Sequence, residues 1–243
     1  MRVESTTNPR IKAVRRLHRG RERRQTGRTL LEGPKLIDAA LEAGVVPLEV
    51  YTVDGGSLVE RCKAAGSEVV EVSRMVLETI ATTVEPQDPV AVIEVPKSKP
   101  LEGERVVVLV EIADPGNLGT LIRSAAALGW QVALVGGADP WNPKVLRSGA
   151  GAHFAQVPVT IDGLSEIAEL GFTTVATIIS GGRVPGEITS DTPIALLIGS
   201  ESHGLCSEMV QRCDQAMTIP MSANSESLNA AVAGAIAMYA LSL

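Results

Sequence analysis

Strand-length apolar runs, nearly free of charge, recur through the second half of this chain with helix-length segments between them. Residues 106–112, 131–135, 174–179, 193–198 and 216–219 read as strands, and 117–128, 165–170 and 226–241 as helices. A strand that is apolar on both faces has to be covered on both faces. The expected fold is therefore α/β, with a parallel sheet between helical layers. The last helix, 226–241, carries an apolar stripe of Leu228, Ala231, Val232, Ala235, Ile236 and Tyr239, and small uncharged residues elsewhere. A helix apolar all round is a buried helix, so a second subunit is expected against it, in a homodimer.

The first half alternates differently. A helix is expected over 8–24, with Ile11, Val14 and Leu17 on one stripe. Strands follow at 29–32, 48–53, 68–72 and 90–95, and helices at 34–43, 57–65 and 74–81, which makes a small α/β unit. Pro96-Lys97-Ser98-Lys99-Pro100 has linker composition. The expected division is an N-terminal domain at 1–96 with a basic arm at 1–28, a linker at 97–104, and a second domain at 105–243.

Net charge is −6, which taken alone argues against a nucleic-acid partner, but its distribution reverses that impression. Residues 1–35 hold eleven Lys or Arg against three Glu, a net +8, while the rest hold eleven against twenty-five acids, a net −14. Such an arm suits phosphate binding with release of counterions. Arg10, Lys12, Arg15, Arg16, Arg19, Arg23 and Arg24 are the candidate nucleic-acid contacts. Aromatics make up 2% of the chain, so base stacking on aromatic platforms cannot dominate. No apolar run reaches the roughly 18–20 residues that span a bilayer, and Met1-Arg2-Val3-Glu4 does not begin a signal peptide, so a cytoplasmic protein is expected. Cys62, Cys206 and Cys213 form no C-x-x-C pair, fit reduced thiols and give no support to a metal site.

Familiar nucleotide loops are incomplete. Gly199-Ser200-Glu201-Ser202-His203-Gly204 has phosphate-loop glycine spacing, but Leu205-Cys206 stands where Lys-Ser/Thr is required. Neither Gly149-Ala150-Gly151 nor Asp114-Pro115-Gly116-Asn117-Leu118-Gly119 completes G-x-G-x-x-G.

Three strand-end segments remain. Asn117, Gly119 and Arg123 form N-x-G-x-x-x-R. Gly199, Glu201 and Gly204 form G-x-E-x-x-G. Ile219-Pro220-Met221 precedes Ser227-Leu228-Asn229. In this order and at these separations they resemble the SpoU (TrmH) branch of the SPOUT RNA methyltransferases. Ser5-x-x-Asn8-Pro9-x-Ile11-Lys12 and Leu31-Glu32-Gly33 resemble, more loosely, that family's N-terminal RNA-binding domain. Ala223 departs from a glycine common in the third segment.

The resemblance implies a C-terminal domain with a trefoil knot, which no pattern argument would propose. It implies S-adenosyl-L-methionine (SAM) held by Gly199, Gly204, Ile219, Met221, Leu228 and Asn229, and a homodimer with its site near the subunit interface. The implied activity is methylation of a ribose 2′-hydroxyl, with rRNA favoured over tRNA. A tRNA enzyme and a non-catalytic RNA-binding or ribosome-assembly factor are the alternatives. Arg123 would be the central catalytic residue, with Asn117, Glu201, Ser227 and Asn229 around it. A guanidinium keeps its proton in proteins, so a phosphate clamp that also stabilises the developing alkoxide is the better physical role than a base. Glu201 is the other candidate base. Asn117 and Ser227 either cap their helices or reach the reacting centre. Similar wording to the 141–154 segment occurs in members that act on large-subunit rRNA, and there Lys144 and Arg147 are candidate phosphate contacts. His153 reads as a packed residue rather than a base.

Overall fold

The computed structural model describes residues 2–222 and 227–243. It divides into two compact units, Met1–Lys97 with Asp139–Ala155, and Ser98–Ala138 with Gln156–Leu243. A single crossing near residue 97 was expected. Instead the chain returns to the first unit for residues 139–155 before completing the second.

The first unit holds α1 (Pro9–Arg16), α2 (Gly20–Thr26), β1 (Arg28–Glu32), α3 (Pro34–Glu42), β2 (Glu49–Thr52), α4 (Ser57–Ala64), β3 (Glu68–Glu71), α5 (Arg74–Ile80) and β4 (Val90–Glu94). Its sheet runs β1-β4-β2-β3; only the β2–β3 pair is parallel. Asn8 caps α1 by accepting from the Arg10 amide at 2.9 Å, with Pro9 following at the first helical position. Ile11, Val14 and Leu17 enter one core with Leu30, Tyr51, Val76, Leu77 and Ile80.

The single helix expected over 8–24 is two. Arg19 is extended and Gly20 starts α2. Arg23 stabilises the corner. Its guanidinium donates to the Leu17 and His18 carbonyls at 2.8 and 3.0 Å and pairs with Asp139 at 2.7 Å. At 3% exposure it is a structural arginine, not an RNA contact.

The second unit begins with β5 (Arg105–Val110), α6 (Pro115–Leu128) and β6 (Gln131–Val135). The returning segment adds α7 (Pro143–Gly149) and α8 (Ala152–Ala155) to the first unit. Then come β7 (Val159–Thr160), α9 (Leu164–Glu169), β8 (Thr173–Thr177), β9 (Ile194–Ile198), α10 (Ser207–Gln211), β10 (Gln215–Met217) and α11 (Ala230–Ala240). The sheet order is β10-β8-β9-β5-β6-β7, parallel throughout, as the uninterrupted apolar strands require. β5 ends at Val110 because Glu111 adopts a left-handed φ of 53° and leaves the sheet.

Helix α11 packs against α6 and β9 with its small face. Ala231, Gly234, Ala237 and Met238 are buried, and a Cβ on Gly234 would stand 2.4 Å from Leu121 and 2.5 Å from Ile198. The apolar stripe is divided between the two faces: Val232, Ile236 and Tyr239 are 48%, 41% and 56% exposed. Close approach of α11 to its neighbours requires small residues, so the larger ones occupy the opposite face. The expected helix start at 226 lies outside the described residues. No described helix is long and apolar enough to cross a membrane.

His153 is fully buried against Trp141, with ring centroids 5.6 Å apart. Neither ring nitrogen makes a well-formed hydrogen bond. Burial lowers its pKa from 6.5 to about 4, against a weaker opposing pull from the Pro140 carbonyl. The folded state therefore binds fewer protons than the unfolded chain between these values, and stability falls as pH drops from 6.5 toward 4. At about 1.4 kcal/mol per pH unit, this one site removes about 3 kcal/mol across that window. Urea unfolding of the protein and of His153→Phe at pH 7 and pH 4.5 measures the difference. Parallel losses in the two proteins would refute it.

Candidate active site

The parallel sheet places its strand ends in a row. The chain leaves β5 for β6 and β7 on one side and returns through β8 and β9 on the other, so strand order reverses at the β5–β9 boundary. Ligands of open α/β sheets bind outside the carboxyl ends of strands at such a reversal. A recess of about 490 Å³ lies there. Its walls are Glu111 and Ala113 after β5, Gly137 and Ala138 after β6, and Ser200, Ser202 and His203 after β9.

The loop after β9 is a tight reversal. The Gly204 amide donates to the Ser200 carbonyl at 2.9 Å. Gly199 is buried against Gly204 and Leu205, where a Cβ would fall 2.2–2.5 Å from backbone atoms. Glu201 rides on this loop, exposed.

Asp114 caps α6, accepting from the Asn117 amide at 2.8 Å. Asn117 is thus not the cap that sequence allowed. Asp-Pro at the start of a helix is the signal that would have found Asp114. Freed from capping, the Asn117 side chain donates through Nδ2 to Glu201 Oε1 at 2.9 Å and accepts through Oδ1 from Asn229 Nδ2 at 3.0 Å. Asn229 Oδ1 accepts from the Ala231 and Val232 amides at 2.9 and 3.3 Å, so Asn229 rather than Ser227 caps α11. The polarity of this chain is forced from both ends. An ionised carboxylate only accepts and backbone amides only donate, so each asparagine has one permitted orientation. One residue from each of the three motifs is joined by this path.

The substitution Asn229→Asp separates the roles of that residue. It keeps the helix cap but faces an acceptor with an acceptor at Asn117. Stability is expected to change by less than about 0.5 kcal/mol, whereas Asn229→Ala loses about 1 kcal/mol of cap. Both variants should lower turnover about tenfold or more through the lost link to Asn117. Thermal unfolding and the turnover rate check this; unchanged turnover in Asn229→Asp would remove the link from the mechanism.

Arg123 is not part of that path. Six residues beyond Asn117 it lies about 120° around the helix and about 9 Å along it. It is exposed on the face shared with Thr120 and Ala127, and none of its hydrogen bonds or ion pairs falls among the described residues. Ser227 is exposed, and Ile219, Met221 and Leu228 are half-buried without being among the walls of the recess. Ala223 lies outside the described residues. Among the described residues no three His, Cys, Asp or Glu cluster as a metal site.

The first unit sorts the basic residues. Lys12, Arg15, Arg16, Arg19, Arg24 and Lys144 are exposed. Arg10 is engaged: it donates to Tyr51 at 3.0 Å and to Glu68, and pairs with Glu49 at 3.0 Å off hydrogen-bond alignment. Its phosphate-binding role is replaced by that network. Arg147 is half-buried and donates to Thr82.

Strand-end loops at a sheet reversal, joined by a polar path through three motifs, define an α/β ligand-binding site. The chain belongs to the SpoU rRNA Methylase family, whose profile matches residues 104–239. An MRM3-like substrate binding domain matches residues 8–91. The 23S rRNA (guanosine(2553)-2′-O)-methyltransferase RlmP of Bacillus subtilis is 31% identical over 98% of both chains. The 23S rRNA (uridine(2479)-2′-O)-methyltransferase of Streptomyces viridochromogenes is 30% identical, over 90% of this chain and 83% of its own. An AdoMet-bound rRNA methyltransferase from Sinorhizobium meliloti superposes with a TM-score of 0.89 at 31% identity, over 99% of this chain and 97% of its own.

Proposed function

We propose that this protein methylates a ribose 2′-hydroxyl in ribosomal RNA, with SAM as donor. The observation that carries the reading is the Glu201–Asn117–Asn229 path, which ties all three motifs to the strand-end loops of a SpoU-family fold. The Bacillus subtilis and Streptomyces viridochromogenes relatives are 23S rRNA enzymes by name, which favours rRNA over tRNA, and they modify a guanosine and a uridine, so the nucleotide is read from mapping.

The residues present fit SAM. Its sulfonium and ammonium groups are cationic, and Glu111 and Glu201 place carboxylates around the 199–204 loop. Gly199 and Gly204 let that loop fold tightly, and half-buried Ile219, Met221 and Leu228 offer apolar contact to the adenosine. When bound, SAM supplies an activated methyl group whose sulfur leaves without needing a proton. The remaining difficulty is the hydroxyl. Arg123 clamps the phosphate beside the target ribose and stabilises charge developing on the 2′-oxygen. Glu201, oriented through Asn117, is the group placed to take the proton. Ser227 stands two residues before the cap Asn229, where it reaches the same centre.

Strand β10 lies at the sheet edge beside β8, whereas α11 packs against α6 and β9. That order of elements supports a trefoil-knotted second unit. The exposed Val232, Ile236 and Tyr239 recur at i, i+4 and i+7, one face of α11, and support a homodimer through that helix. Arg123, exposed in the single chain, then meets its substrate near the partner copy. Ile236→Asp is expected to give monomers in light scattering; a retained dimer would exclude this face. The protein works in the cytoplasm, where its RNA is.

Calorimetry with SAM, then transfer of labelled methyl to 23S rRNA with ribose-methylation mapping, tests the function. No detectable SAM binding would overturn it and leave the non-catalytic RNA-binding alternative.

A further inference from the structure

The first unit contains a second recess, of about 470 Å³, lined by His18, Ala81, Thr82, Thr83, Val84, Asn142, Pro143, Lys144 and Arg147. We infer that this recess seats one unpaired nucleotide of the RNA substrate, its phosphate on Arg147 and Lys144 and its base against Val84. The inference rests on the rRNA reading above and adds a place on the first unit where that RNA is gripped.

Arg147 is built to receive a ligand. Its Nη1 donates to the Thr82 hydroxyl, which in turn donates to Glu32 Oε2 at 2.6 Å. A hydroxyl has one proton, so donation to the carboxylate fixes its lone pairs toward Arg147. Glu32 is 5% exposed and also accepts from the Thr82 amide at 2.8 Å and from the Thr83 hydroxyl. Burial pushes its carboxyl pKa up, but the two threonines and Arg147 outweigh that and keep it below the ordinary range. The guanidinium is therefore held from behind by a buried anion, 3.8 Å away, and no other partner for it occurs among the described residues. Its remaining donors form the planar edge that matches a phosphate or a guanine.

The rest of the lining complements this edge. Lys144 is exposed, and among the described residues only its backbone is bonded: the amide donates to Asn142 Oδ1 at 2.9 Å and the carbonyl accepts from Ser148 Oγ at 3.1 Å. His18 is fixed by donation to the Ile80 carbonyl at 2.8 Å. Val84 is 100% exposed, an apolar surface with no packing role in the chain. Arg15, Arg16 and Arg19 flank His18 on the same unit and extend positive charge beyond the recess. Cations beside a bare apolar wall fit a nucleotide better than a bare anion, which needs no wall.

Binding of in vitro-transcribed 23S rRNA to the full-length protein, across a salt series, tests the assignment. Lys144→Ala is expected to lower affinity and to reduce the log–log salt slope by about one, the signature of a lost phosphate contact. Val84→Ser is expected to lower affinity by about threefold to tenfold with the slope unchanged, the signature of a lost apolar contact. SAM affinity should stay at the wild-type value in both. Lys63→Ala, an exposed lysine on α4, is the control and should leave both quantities unmoved. A silent Val84→Ser, or a Lys63→Ala effect equal to that of Lys144→Ala, would overturn the recess and leave diffuse electrostatics. Wild-type protein that neither binds nor methylates the rRNA would instead overturn the function itself.

Discussion

Gly199→Ala is expected to abolish SAM binding while the first unit stays folded. The cause is space rather than backbone freedom. A Cβ at 199 would lie 2.2 Å from the Gly204 carbonyl carbon, 2.3 Å from the Leu205 nitrogen and 2.5 Å from the Gly204 oxygen. These are backbone atoms, so no side-chain rotation relieves the overlap, and the loop must open. Opening breaks the Ser200–Gly204 bridge and carries Glu201 away from Asn117. Loss of a built loop of this kind is worth about 3 kcal/mol or more, a fall in SAM affinity of at least about 100-fold. Gly204→Ala is the informative comparison. Its φ of +64° disfavours a side chain, but nothing lies within 4 Å of the added carbon. That variant should lose only about 1 kcal/mol. Calorimetry on both decides the matter: Gly199→Ala binding SAM as well as Gly204→Ala would show that the 199–204 reversal does not shape the cofactor site.

Much of this fold was legible because its strands are apolar on both faces. Residues 131–135 and 193–198 have few alternatives to a central parallel strand, and both lie in one. Charge along 8–24 was equally visible, but its use was not. Arg15 and Arg19 face solvent, whereas Arg23 bonds Leu17, His18 and Asp139. Helical spacing does not distinguish these cases, because the partner Asp139 is 116 residues away in a segment that returns to the first unit. Which face of α11 turns inward was hidden for a related reason. Its apolar stripe was plain, but the tight fit of Gly234 against Leu121 and Ile198 turns the bulky residues outward. In the candidate site, the motifs identified Asn117, Glu201 and Asn229 one by one. Their joining depends on Asp114 and Asn229 taking the caps, which leaves Asn117 free to bridge.

Arg123→Lys is expected to lower turnover by about 100-fold or more, with SAM affinity unchanged. The size of the effect follows from the shape of the group. A lysine keeps the charge but presents a point donor, and a phosphate clamp that also reaches a developing alkoxide needs the planar fork. The position makes the experiment clean. Arg123 is exposed on α6 and supports no part of the described fold, so the substitution should change stability by less than about 0.5 kcal/mol. A fall in rate then reports on chemistry rather than on folding. The division between kcat and KM identifies the role. A clamp that acts only on the transition state lowers kcat and kcat/KM together, whereas simple RNA attachment raises KM alone. Near-wild-type turnover in the lysine variant would rule out the fork and shift the burden to Glu201. In that event Glu201→Gln, which retains a side-chain oxygen to accept from Asn117 Nδ2 but cannot take a proton, becomes the variant that loses activity.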